Sequence, residues 1–155
     1  MLRAVPKSWF SSGYKVLDNN STVAIVELSI SREAGTLTIQ GTTYNAYREA
    51  LLSGAFILEK DGSILARAIK PSAVYRSFQV ELEGKKYTLE AESIGRRKFV
   101  LSENGVRVGS VSPEHSLTRK SVVDFPQEIS LPGRIFLFWL VMIMWKRATD
   151  ATAAS

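Results

Sequence analysis

Adjacent cations are the groups in this chain best suited to chemistry. Arg96-Arg97-Lys98 opens one apparent β-strand, Arg119-Lys120 opens another, and Lys85-Lys86 sits at a turn. A guanidinium presents parallel N–H donors that match phosphate and carboxylate oxygens, and lysine adds a flexible point charge. Arg96, Arg97, Lys98, Arg119 and Lys120 therefore form the candidate anion-binding set, and the chemistry they offer is recognition rather than bond making. The competing explanation is that these charges guard strand ends against edge-to-edge pairing, a common use of charged residues in sheets.

Residues for bond making are sparse. His115 is the single histidine, set in Ser112-Pro-Glu-His-Ser-Leu117. A hydrolase built on it would also need an orienting acid and oxyanion donors, and adjacency along a loop supplies neither. The chain has no cysteine and no Asp-x-Asp-x-Asp-Gly loop, which argues against zinc and calcium sites. No glycine-rich phosphate loop occurs. Glu81, Glu83, Glu90 and Glu92 fall on the outer faces of expected strands, where carboxylates meet solvent. The expectation is a non-enzymatic protein with no catalytic residue, metal or cofactor. A hydrolase using His115 is kept as a second alternative.

The elements that must position the basic groups are mostly hairpins. Phe56–Lys60 and Ser63–Ile69 flank Asp61-Gly62, and Lys98–Ser102 and Val106–Val111 flank Asn104-Gly105. Such dipeptides favour two-residue hairpin turns. Phe78, Val80 and Leu82 alternate with polar residues, as do Tyr87, Leu89 and Ala91, giving strands with one buried face. On that alternation Phe99 points inward with Leu101. Further strands are expected at Gly13–Asp18, Thr22–Ile30, Thr36–Gln40, Thr43–Arg48 and Lys120–Phe125. A shift of 43 positions lays Phe56 on Phe99, Gly62 on Gly105 and Arg76 on Arg119, and a shift of 42 lays Tyr14 on Phe56. That is a weak internal repeat, or the likeness that hairpins share.

After the strands comes Ile135 to Trp145, apolar on every side for 11 residues and bounded by Arg134, Lys146 and Arg147. As a helix it is ~16 Å long, against a hydrocarbon core of ~30 Å. A helix that is apolar all round must be enclosed. The length favours enclosure by its own fold, with a membrane-anchored protein as the first alternative. Ser130 is positioned as N-cap and Pro132 in the first turn. The strand count and the helix explain each other: a wide barrel leaves a lumen, and a helix ~10–12 Å across fills it. The fold expected is an all-β closed antiparallel barrel of about ten to twelve strands around a buried hydrophobic C-terminal α-helix. It spans 13–147 as a single domain, with 1–12 a lead-in that lacks the apolar core of a signal peptide and 148–155 a flexible tail.

This pattern, carried by Phe56-x-Leu58, Asp61-Gly62, Leu131-Pro-Gly, Trp139 and Trp145-Lys-Arg, resembles the tubby C-terminal-like superfamily, which includes tubby proteins, LURP-one-related proteins and phospholipid scramblases. The resemblance implies a roughly twelve-stranded barrel around a central helix and a site for anionic phospholipid headgroups of the phosphoinositide kind. It does not carry scramblase activity over, because neither a calcium loop nor a cysteine is present. The net charge of +5 and pI near 9.6 suit an anionic partner, although a protein partner stays open. No nucleic-acid signature accompanies the charge. The absence of cysteine fits a reducing interior. The expectation is a cytoplasmic binding or scaffold module, peripheral to membranes where it meets them.

Overall fold

Five two-residue turns set the architecture. Asn19-Asn20, Gln40-Gly41, Asp61-Gly62, Glu83-Gly84 and Asn104-Gly105 all have positive φ at both positions. That conformation marks the type I′ turn, whose twist matches that of the strands it joins. The computed structural model describes residues 1–8, 12–29, 32–50, 52–72, 75–93 and 96–154. In chain order the strands are β1 (Leu2–Pro6), β2 (Tyr14–Asp18), β3 (Ser21–Leu28), β4 (Ala34–Ile39), β5 (Thr42–Arg48) and β6 (Ala55–Lys60), then β7 (Ser63–Ile69), β8 (Ser77–Leu82), β9 (Lys85–Ala91), β10 (Phe99–Glu103), β11 (Val106–Pro113) and β12 (Ser121–Asp124). Each strand pairs antiparallel with the next. The pairs Leu2↔Val123 and Ala4↔Ser121 join β1 to β12 and close the barrel.

The barrel has twelve strands, the upper end of the expected range, and the twelfth comes from an unexpected place. Residues 1–12 read as a lead-in, yet Leu2 and Ala4 are buried and Leu2–Pro6 completes the ring. Five residues ending in proline are too short to display an alternation, and one of their two partners, β12, is distant in sequence. Residues 9–11 of that segment lie outside the described residues. So do Ile30, the expected end of one strand, and Ser155 of the expected tail.

The helix α1 (Leu131–Ala154) runs inside the ring. Every residue from Ile135 to Trp145 is buried, so the apolar run is enclosed by strands. Among the described residues, no helix is long and apolar enough to cross a membrane. Its start is fixed twice: the Ser130 hydroxyl accepts the Gly133 N–H at 3.2 Å, and the Glu83 carboxylate accepts the Ser130 N–H at 3.0 and 3.2 Å. Where a flexible tail was expected from 148 on, the helix continues to Ala154. Alanines favour it, Lys146 pairs with Asp150 one turn on at 2.6 Å, and the Thr149 hydroxyl donates to the Trp145 carbonyl at 3.0 Å. Aromatic edges fill the lumen: Tyr14 meets Phe138 at 5.4 Å between ring centroids, Phe56 meets Trp139 at 6.0 Å, and Phe136 stacks on Trp139 at 6.0 Å.

The internal repeat is structural. β-Bulges lie between Val16 and Leu17, Leu58 and Glu59, and Leu101 and Ser102, at steps of 42 and 43 residues. The registers also repeat, with Ala4↔Val16, Ala46↔Leu58 and Leu89↔Leu101 in equivalent places. The units are β2–β5, β6–β9, and β10–β12 completed by β1. In the third unit the chain leaves β12 for the helix instead of turning, and the N-terminal strand takes the vacated position.

This arrangement makes the two barrel ends unlike. One end holds the five tight turns and the start of α1. The other holds six connections of five to seven residues and the exit of α1. Those six connections and the helix from Lys146 onward hold eleven Lys or Arg and five Asp or Glu, a surplus of six where the whole chain has five. The positive charge of the protein is therefore concentrated at this wide end.

Candidate functional site: a basic groove at the barrel mouth

The repeat places one aromatic ring per unit near the wide end: Tyr14 in β2, Phe56 in β6 and Phe99 in β10. Each lies beneath a guanidinium. Arg119 sits 5.7 Å from the Tyr14 centroid, Arg76 sits 5.0 Å from Phe99, and Arg147 sits 5.7 Å from Phe56. Arg76 precedes β8 as Arg119 precedes β12, and the shift of 43 relates them. The equivalent position before β4 is Glu33. There the cation comes from the helix: Arg147 donates to the two Glu33 oxygens at 2.6 and 2.7 Å, and Arg48 donates to the same carboxylate at 3.1 Å. Two stations thus carry arginines from the loops that lead into β8 and β12, and the third is a latch ion-paired to the helix.

The latch carries its own electrostatics. Burial pushes the Glu33 carboxyl up, but the hydrogen bond from Arg147 and the charges of Arg147, Arg48 and Lys146 outweigh it, leaving the carboxyl below its usual range. Burial, with the charge of Arg147, lowers the nearby Lys70 ammonium, whose Nζ donates to the Ser72 carbonyl. A carboxyl depressed in the folded state adds stability that is present above its unfolded pKa and is lost as pH falls through the folded one. Glu33→Gln is expected to cost about 2 kcal/mol at neutral pH. The gap between variant and wild type should then narrow as the medium is acidified below the ordinary carboxylate range. Urea unfolding at a series of pH values checks this; a gap independent of pH would remove the latch role.

Beside the helix, the two remaining stations open a groove of about 1080 Å³ between α1, Arg96-Arg97 before β10 and Ser116–Arg119 before β12. Arg76, Arg96, Arg97, Arg119 and Lys146 line it, and Tyr14, Leu28, Met142 and Trp145 give it an apolar floor. The arginines are held by fixed partners. Arg97 lies 5.1 Å from the Trp145 ring and donates to the Thr118 carbonyl at 2.8 Å, while its own carbonyl accepts the Trp145 indole N–H at 2.9 Å. Arg76 donates to the Arg96 carbonyl at 3.1 Å, and burial lowers its pKa from the ordinary guanidinium value. Among the described lining residues the acid is Asp150, whose carboxylate holds Lys146. Four guanidiniums over an apolar floor suit an anion with several oxygen acceptors and an apolar portion.

Of the five basic residues expected to act together, Arg96, Arg97 and Arg119 line this groove. Lys98 and Lys120 do not. Lys98 pairs with Glu92 at 3.2 Å, and Lys120 is exposed outside the groove. The reason is strand alternation carried past the strand ends: Phe99 and Ser121 are buried and face inward, so the residues just before them face outward. Arg97 and Arg119, one residue earlier again, return to the mouth. Arg76 and Lys146 belong to the groove although the basic clusters did not include them. The shift that superposes Arg76 on Arg119 was the signal for the first. His115 is exposed in the loop between β11 and β12, and the neighbouring Glu114 is ion-paired to Arg3. No group of three or more potential metal-ligating side chains occurs among the described residues.

Fold and groove together define a closed antiparallel β-barrel filled by its own C-terminal helix, with a cationic mouth. Comparison with protein-family models, curated proteins and solved structures finds no match to this chain.

Proposed function

We propose that this protein is a non-enzymatic binding module that holds a phosphorylated, phosphoinositide-like lipid headgroup in the basic groove at the wide end of the barrel. The observation that carries the reading is the convergence of Arg76, Arg96, Arg97 and Arg119 on one apolar-floored groove. Hydrogen bonds to charged acceptors contribute about 1.5–3 kcal/mol each, so a polyphosphorylated group meeting several guanidiniums reaches useful affinity. The twelve-stranded barrel around a C-terminal helix is also compatible with a tubby-like barrel, the resemblance that first pointed to such headgroups. A cytoplasmic protein, peripheral to the membrane, is the matching cellular setting.

The test is titration calorimetry with inositol hexakisphosphate as a soluble stand-in for the headgroup. The wild type is expected to bind, with affinity falling as salt rises. Arg96→Gln, at an exposed position, should weaken binding about ten-fold through loss of one charge-assisted contact. Absence of binding to the folded wild type would overturn the reading.

A further inference from the structure

The wide end combines its cations with apolar side chains that have nothing to pack against. Leu52 is 95% exposed, Leu117 93% and Tyr75 73%. They sit in the connections β5–β6, β7–β8 and β11–β12, the third, fourth and sixth of the six connections met on going round this rim. Apolar side chains left this open to water gain nothing for the fold, and these three, two leucines and a tyrosine, stand on separate loops. The tight-turn end is built differently. Exposed Ile64 and Val106 are there too, but beside turns that carry Asp61, Glu83 and Glu103 and without a surplus of cations.

We infer that the wide rim docks end-on against an anionic membrane surface, with Leu52, Tyr75 and Leu117 inserted at the headgroup level and the barrel standing away from the bilayer. The inference rests on the headgroup reading and adds to it the surface that presents the headgroup. Two independent properties of this end select a lipid surface. The net positive charge is attracted to anionic lipid, each Lys or Arg near the surface contributing about 1 kcal/mol. The separated apolar tips match a deformable interface that accepts side chains wherever they fall, with tyrosine suited to the boundary between water and acyl chains. A folded acidic partner would instead favour a contiguous apolar patch rimmed by charge. On a bilayer the groove opens toward the lipid, so a bound headgroup keeps its glycerol and acyl chains on the membrane side.

The chain has no cysteine, so single probes can be placed at will. Leu52→Cys, Tyr75→Cys and Leu117→Cys, with Ile64→Cys and Val106→Cys as tight-end positions, are each labelled with a nitrobenzoxadiazole fluorophore. They are then mixed with vesicles of phosphatidylcholine alone or of phosphatidylcholine with phosphatidylserine. Emission is expected to rise about two-fold at the three rim positions on the anionic vesicles only, and to stay constant at 64 and 106. Leu52→Asp should lower vesicle partitioning about ten-fold while leaving inositol hexakisphosphate affinity unchanged. Vesicle binding with no change at the rim, or with a rise at 64 or 106, would overturn end-on docking. Binding of inositol hexakisphosphate without binding of vesicles would overturn it too, and would leave a groove for a free polyphosphate. Failure of both would remove the headgroup reading along with it.

Discussion

Gly35→Ala is expected to destabilise the barrel by about 3 kcal/mol or more, a large effect for one methyl group. Gly35 lies in β4, paired with Leu28 on one side and Ala46 on the other. A Cβ there would fall well inside contact distance of the Glu27 carbonyl oxygen and 2.6 Å from the Trp139 indole nitrogen. Neither neighbour can retreat cheaply. Glu27 is fixed in the ladder opposite Thr36, and Trp139 is walled in by Phe56 and Phe136. The same indole N–H is buried without a hydrogen-bond partner among the described residues. Leaving such a donor unpaired costs about 1–3 kcal/mol. Trp139→Phe should therefore cost less than a large-to-small change in a packed core usually does, since it removes the orphan donor as well as volume. Combined with Gly35→Ala it should recover only part of the loss, because the clash with Glu27 remains. Urea unfolding of the two single variants and the double checks both statements. A cost below about 1 kcal/mol for Gly35→Ala would mean that helix and strand are not in the close contact described.

The turn chemistry explains why so much of the fold could be read in advance. Asp61-Gly62 and Asn104-Gly105 signal tight turns by residue type alone, and the alternation around them assigns the inward faces, Phe99 among them. The helix was legible through its length: too apolar to be exposed, too short to span lipid. What stayed hidden depended on partners remote in sequence. β1 closes the ring only because β12, more than a hundred residues on, pairs with its free edge. The Glu33 latch exists only because Arg147 arrives from the helix, 114 residues away. The site divides the same way. Runs of adjacent basic residues include Arg96, Arg97 and Arg119 of the groove lining, but the alternation of β10 and β12 carries past their ends and leaves Lys98 and Lys120 outside the groove. Three-fold repetition was the better guide, because it relates positions in space. It links Arg76 to Arg119, and through Glu33 it shows where the ring of cations is interrupted.

That interruption makes the strongest test of the groove. Arg76→Glu combined with Arg119→Glu gives both open stations the charge type that Glu33 gives the third. Each replacement removes a cation and adds a like charge against the ligand, so inositol hexakisphosphate affinity should fall at least about 100-fold. A drop of that size could also follow from net charge alone, since the double variant is four charges more negative. Lys86→Glu with Arg107→Glu makes the same change in net charge away from the groove, at exposed positions on β9 and β11. The two pairs should therefore differ sharply, with the second weakening binding only by the modest, salt-screened amount that distant charges exert. Equal losses in both would mean that the ligand senses the field of the whole protein and not this site. The first pair also gives up the stacking of guanidinium on Phe99 and Tyr14, worth about 0.5–1 kcal/mol each at partly exposed positions. Unfolding curves recorded beside the titrations separate that small cost in stability from the loss of binding. Retained binding in the folded double variant would remove the two stations from the site.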